Sequence, residues 1–221
     1  DEAVSAGWVQ HFGKQGIQAL IVDCKSGRGL GAFSVKVNEI MGERIAAWKR
    51  KGMVNRPIRM MIAGIPNSGK SSFINRIAQG GKAKVEDRPG VTRANQWYTT
   101  KDGFEMLDTP GILWPKFDDQ RVAQHLAYTG AIRDEVLDKE DLACGLLSIL
   151  YNNYTKLLVD RYKTDDITLH EEIESWELLN IIGRKRGMLI SGGEVDTERA
   201  ATMILDEFRG GKIGRITLEK P

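Results

Sequence analysis

Apolar residues recur along this chain in two rhythms, one short and strand-like, the other helical. Arg59 to Ala63 carries Met60, Met61 and Ile62 in one run, which predicts a buried strand. Ser72 to Ala78 follows with Phe73, Ile74 and Ile77 spaced for one face of a helix. Gln96 to Thr100 reads as a further strand, Phe104 to Leu107 as a short one ending at Asp108, and Ile17 to Val22 as another. An amphipathic helix precedes the 59–63 strand and ends among basic residues. Beyond Asp119 the patterns turn helical: Val122 to Tyr128, Leu142 to Tyr151 with Leu146, Leu147 and Leu150 on one face, Ile173 to Ile182, and Ala200 to Phe208. Gly210-Gly211 stops the last helix, and Ile213 to Leu218 reads as a short strand or extended arm. Residues 1–118 thus predict an α/β domain with a parallel sheet flanked by helices, and residues 119–221 a smaller helical domain.

The turn between the 59–63 strand and the next helix carries the first chemistry. Gly64-Ile65-Pro66-Asn67-Ser68-Gly69-Lys70-Ser71 fits the P-loop pattern G-x-x-x-x-G-K-[ST], and it joins strand to helix, where that pattern has mechanical meaning. Such a loop wraps its backbone from Pro66 to Gly69 around an anion site at a helix N-terminus, with the N–H groups of Asn67, Ser68 and Gly69 as donors. Gly64 and Gly69 let the backbone approach phosphates, and Lys70 supplies a charge for the β and γ phosphates. The Ser71 hydroxyl is a Mg²⁺ ligand in this scheme, and Ser72 a partner for the α-phosphate. The pattern predicts binding of a nucleoside triphosphate.

Met106-Leu107-Asp108-Thr109-Pro110-Gly111 has the form of a Walker-B strand leading into switch II. Its Asp holds Mg²⁺, and the Gly111 N–H meets the γ-phosphate. Read alone, Asp-Thr-Pro-Gly is as well explained by an ordinary turn; the P-loop upstream tips it toward a switch. Asp87 to Arg93 is polar and rich in breakers, the expected place of switch I, with Thr92 as the hydroxyl that reaches Mg²⁺ and the γ-phosphate. A surface threonine in a loop is the plainer reading of Thr92.

Together the P-loop with its Asn67, the Pro89-Gly90-Val91-Thr92 segment, and the run from Asp108 through Ile112-Leu113-Trp114-Pro115-Lys116-Phe117 resemble the circularly permuted GTPases of the YlqF/RbgA type, which assist assembly of the large ribosomal subunit. The resemblance continues through Ala127 to Ile132, Lys185-Arg186-Gly187 and Ser191-Gly192-Gly193, so it covers nearly the whole chain. It implies a circularly permuted P-loop GTPase domain, GTP and GDP as ligands, Mg²⁺, and a partner in the large subunit and its rRNA. Hydrolysis is then expected to be slow alone and stimulated by the particle.

Guanine is commonly read by Asn-Lys-x-Asp, and the nearest match here, Asp138-Lys139-Glu140-Asp141, reads instead as the acidic start of a helix. In the family the base-reading motif precedes the P-loop, so it is expected upstream of Asp1. The loop Asp23-Cys24-Lys25 resembles the segment packed around the base, although a plain turn explains these residues almost as well. Ile112 stands where Ras-like enzymes place the water-orienting Gln, a job no hydrocarbon can do. The family is thought to use a catalytic His from the upstream segment instead; His11, His125 and His170 match no such motif. Asn67 is the residue that can help hold K⁺ against the phosphates in this family, with simple shaping of the loop as the alternative.

Composition changes the picture only at the edges. The 221 residues, 41% hydrophobic and 28% charged, suffice for two domains. Cys24 and Cys144 suggest neither a disulfide framework nor a zinc site, so a reducing compartment is expected, and no apolar run approaches membrane-spanning length; the expected location is cytoplasmic, in a bacterium in preference to an organelle. A net charge of +2 says little about nucleic acid, but its distribution says more. Arg44, Lys49, Arg50, Lys51, Arg56 and Arg59 crowd around Trp48, and Arg184, Lys185 and Arg186 form a second cluster. Either can neutralise RNA phosphates, with Trp48 stacking on a base. A solvated helix end with Trp48 in the core explains the first cluster slightly better, whereas the ribosomal resemblance favours RNA contact at the second. Acids such as Glu171, Glu172, Glu174 and Glu177 leave only one face of that region for RNA. Two other functions fit the motifs: a nucleotide-gated RNA-binding scaffold with little hydrolysis, and a potassium-activated GTPase with a non-ribosomal partner.

Overall fold

The computed structural model describes residues 1–54, 56–78, 96–114, 116–134, 137–164 and 173–221. Their contacts group into two compact units, Ala3–Leu113 with Pro221, and Asp1–Glu2 with Trp114–Lys220. The expected switch I segment with Thr92, together with His170, Glu171 and Glu172, lies outside the described residues.

In the α/β unit three strands form one sheet in the order β1-β3-β2: β1 Arg59–Ile62, β2 Gln96–Thr99 and β3 Glu105–Asp108. β1 runs parallel to β3 and β2 antiparallel to it, so the described sheet is mixed. Helix α3 (Lys70–Ile77) covers one face, where Ile74, Tyr98 and Met106 are buried against Phe73, Ile77 and Met60. Alternation selects that face, because Met60, Met106 and Tyr98 stand in one row of the ladder. The other face carries Met61 (64% exposed) and Trp97 (52% exposed), so the expected fully buried strand at 59–63 is a half-covered one. An apolar run reports what a strand can bury, and among the described residues nothing covers that side.

Ile17 to Val22 forms no strand. A strand exists by pairing; this run has no described ladder partner, and Ile17, Leu20 and Ile21 are exposed. Two helices complete the element order, α1 (Glu2–Lys14) and α2 (Phe33–Arg50). α2 begins at Phe33, whose ring meets Phe73 and Phe104 edge-on at 5.1 and 6.2 Å.

The helical unit contains α4 (Gln120–Tyr128), α5 (Lys139–Tyr162), α6 (Ser175–Lys185) and α7 (Thr197–Arg209). Asp138 caps α5 through the N–H groups of Glu140 and Asp141 at 2.9 and 3.0 Å, so Asp138 to Asp141 is a helix start, as its acids predict. α5 runs eleven residues beyond the expected end at Tyr151, bending at Tyr154 (φ −139°, ψ 33°). Leu146, Leu147, Leu150 and Leu158 of α5, Leu178, Leu179 and Ile182 of α6, and Ile204 and Leu205 of α7 make the core. Each such side chain contributes roughly 1.5–3 kcal/mol by leaving water. Arg209 ties the end of α7 to Asp134 by two 2.7 Å bonds and to the carbonyls of Ala127 and Tyr128. Ile213 to Leu218 is an arm without a ladder, held where the Tyr154 hydroxyl accepts from the Thr217 N–H and donates to its carbonyl. Among the described residues no helix is long and apolar enough to cross a membrane.

Candidate active site

The register of the sheet decides what meets at its edge. Ile62 of β1 pairs with Asp108 of β3, so the strand that enters the P-loop and the strand that ends in the carboxylate finish side by side. Thr109 fixes the alignment by donating its hydroxyl to the Ile62 carbonyl at 2.7 Å. Spacing had not singled out this residue, since its partner is a backbone group on another strand.

Between β1 and α3 the loop turns back on itself. Asn67 takes a left-handed conformation (φ 55°), which asparagine tolerates better than most side chains, and Gly69 takes another (φ 83°) at the start of α3. The Ser68 hydroxyl donates to the Ile65 carbonyl at 2.8 Å. The Lys70 ammonium reaches back to the carbonyls of Ile65 at 2.7 Å and Gly64 at 3.1 Å, so it lies along the concave side of the loop. Burial lowers its pKa, and the charge of Asp108 opposes that shift. A phosphate arriving at the loop supplies further negative charge and stabilises the ammonium. Ser71 and Ser72 open α3 directly after it, both half-buried.

Asp108 is 1% exposed. A buried carboxylate whose charge acts on Lys70, and a serine hydroxyl at the start of α3, are the hard oxygen ligands that Mg²⁺ takes together with phosphate oxygens and water, so these residues fit the ion that phosphoryl transfer requires. Beyond Asp108 the chain folds onto the P-loop. The Ile112 N–H donates to the Gly64 carbonyl at 3.3 Å, and a Cβ added to Gly111 would stand 2.7 Å from both the N and the Cα of Pro66. Only glycine fits there, because the obstructing atoms are backbone. Ile112 itself is 73% exposed.

On the other side of α3, Asp23 organises its own loop, accepting from the N–H of Lys25 at 2.9 Å and from the Ser26 hydroxyl at 2.7 Å. These bonds, the Ser26 hydroxyl first, lower the pKa of Asp23. Burial raises that of Cys24. Gly29 closes the loop at φ 81°, with the Ile21 carbonyl where a Cβ would go. Arg76 of α3 then donates to the Cys24 carbonyl at 2.8 Å and to the Lys25 carbonyl. The helix that begins at the P-loop is thereby bonded to the 23–25 loop, a link that no motif announces.

A family model described as 50S ribosome-binding GTPase matches residues 59–182. Ribosome biogenesis GTPase A of Bacillus licheniformis is 43% identical over all 221 residues, which cover 77% of that protein. The Thermotoga maritima protein of the same name is 28% identical, again over the whole chain and 72% of the relative. The chain belongs to the ribosome biogenesis GTPase A family. Two solved structures agree with that assignment: GDP-bound TM YlqF, with a TM-score of 0.61 at 26% identity, and GNP-bound YlqF from T. maritima, with 0.60 at 25%. They cover this chain completely, and it covers 78% and 77% of them. Like its family, this ribosome biogenesis GTPase A relative is a GTPase, binding GTP, GDP and Mg²⁺ on a circularly permuted P-loop fold.

Proposed function

We propose that this GTPase is a nucleotide-gated assembly factor of the large ribosomal subunit, acting late, in the bacterial cytoplasm, through rRNA. The names of the family model and of the relatives support the ribosomal part. The observation that carries the gating is the contact of Gly111 and Ile112 with Pro66 and Gly64, since a γ-phosphate must be accommodated where switch segment and loop already touch.

In this reading the backbone from Pro66 to Gly69 cradles the phosphates, with Ser72 at the α-phosphate and Lys70 at the β and γ phosphates. Ser71, Asp108 and Thr92 would hold Mg²⁺, whose charge would offset that of the β and γ phosphates. The Gly111 N–H meets the γ-phosphate, and Asn67 helps hold K⁺ beside it. Ile112 leaves the attacking water without a polar partner, so turnover is slow until rRNA completes the site. Residues 1–118 perform this chemistry and residues 119–221 meet the particle. Arg184 and Lys185 are exposed at the end of α6 and suit that contact. Arg186 suits it less: its guanidinium lies 5.2 Å over the Tyr162 ring, 3.3 Å from the Arg161 carbonyl and 3.7 Å from Glu207. Binding of large subunits should be tight with a non-hydrolysable GTP analogue and weak with GDP; equal sedimentation with the subunits in both states would sink the reading.

Asp23, Cys24 and Lys25 are the base-side contacts, held by Arg76. Arg76→Met is therefore expected to weaken GTP and GDP by about tenfold, the worth of a charge-assisted hydrogen bond, while leaving the weak affinity for ATP unchanged. Calorimetric titration of the three nucleotides checks this, and an equal loss for ATP would deny the loop a base-reading role.

A further inference from the structure

At the N-terminal end of β1, opposite the end that enters the P-loop, Met41, Arg44, Trp48, Arg56, Pro57 and Arg59 line a cavity of about 360 Å³. A strand of this length puts it on the order of 15 Å from the phosphate loop. The three arginines come from three successive pieces of chain, namely α2, the segment after it, and β1. A helix end alone would not bring in Arg59 of β1; here all three arginines line one cavity. Arg59 is already engaged, its Nε 2.6 Å from Glu105 Oε2 and its guanidinium 5.5 Å over the Trp97 ring, whereas among the described residues no carboxylate lines the cavity. Arg44 and Arg56 add two further positive charges to the lining, and an anion in the cavity offsets them. The Arg56 guanidinium lies 4.8 Å over the Trp48 ring, making a flat cation–π platform at the cavity.

We propose that this cavity binds one nucleotide of single-stranded RNA, its phosphate between Arg44 and Arg59 and its base on the Arg56–Trp48 platform. The volume falls within the range of small-ligand pockets and suits a nucleotide. Guanidinium planes and aromatic rings are the surfaces on which unpaired bases stack, and a duplex hides those base faces. An acidic peptide would satisfy the arginines but not the platform. The inference rests on the assembly-factor reading only for which RNA is met, not for the chemistry of the cavity.

The test is fluorescence anisotropy of a short labelled single-stranded RNA against the full chain at several salt concentrations. Arg44→Gln/Arg56→Gln is expected to weaken binding about tenfold and to flatten the slope of log affinity against log salt by roughly one, with GTP binding retained as the check on folding. Trp48→Leu should lower affinity for RNA but not for inorganic polyphosphate, which has no base to stack. RNA affinity and salt slope unchanged in the double variant would overturn the proposal. So would an oligoglutamate peptide that outcompetes the RNA on the wild-type chain. Sedimentation with large subunits is scored separately, so its failure would remove the ribosomal reading and leave the RNA result to decide the cavity.

Discussion

Lys70→Ala should lower kcat/KM for GTP by about 10³-fold or more. The loss has two parts. A charged hydrogen bond to a phosphate is worth about 1.5–3 kcal/mol in binding, or roughly ten- to a hundredfold in affinity. Removing a donor aimed at charge that develops in the transition state costs about 10²-fold in turnover. The structure adds a reason why no neighbour compensates: the ammonium lies along the inside of the loop, bonded to the carbonyls of Gly64 and Ile65, near the charge of the buried Asp108. Once the side chain is gone, Asp108 and the phosphates face each other without this cation between them. Lys70→Met, which keeps most of the stem, should lose GTP to nearly the same extent, since packing is not what the residue supplies. Fluorescent GTP binding and steady-state turnover measure the two parts; wild-type affinity in either variant would show that the loop does not hold the phosphates.

Gly111→Ala should separate binding from switching. A Cβ at this position meets the N and Cα of Pro66 at 2.7 Å, and backbone on both sides has no rotamer by which to yield. The segment from Asp108 must then stand away from the P-loop, which also stretches the bond from Ile112 N–H to the Gly64 carbonyl. GDP needs no contact from Gly111, so its affinity should stay near the wild-type value. Turnover of GTP should fall by about 10²-fold, because the Gly111 N–H is withdrawn from the γ-phosphate. The diagnostic is the ratio of GTP-analogue to GDP affinity, measured by competition: a fall in that ratio agrees with a switch, and parallel losses for both nucleotides would mean that Gly111 only packs the loop.

The candidate phosphate site is legible in the sequence because its pattern is local. Gly64 to Ser71 are contiguous, and Asp108 follows an apolar run whose end the ladder places beside Ile62. What the sequence concealed was always a matter of partners. Arg76 bonds carbonyls up to 52 residues earlier, and carbonyls have no sequence signature. Met61 and Ile17 are as apolar as core residues, yet exposed, since composition cannot say what lies opposite. The pattern predicts this helix, α5, only as far as Tyr151, because Asn152, Asn153 and Lys156 break the apolar rhythm, although Leu158 and Tyr162 rejoin the core beyond them. Arg44, Arg56 and Arg59 read in sequence as a helix end and its linker, whereas the turn after α2 brings them to the wall of one cavity.

The central claim is that a particle completes a catalytic site which is unfinished in the GTPase alone. The most direct test is GTP turnover by this protein with and without purified large ribosomal subunits, in K⁺ and in Na⁺ buffers. Slow turnover alone, strong stimulation by the subunits and a larger rate in K⁺ are the predicted results. Turnover that is the same with and without subunits, in either salt, would contradict the account.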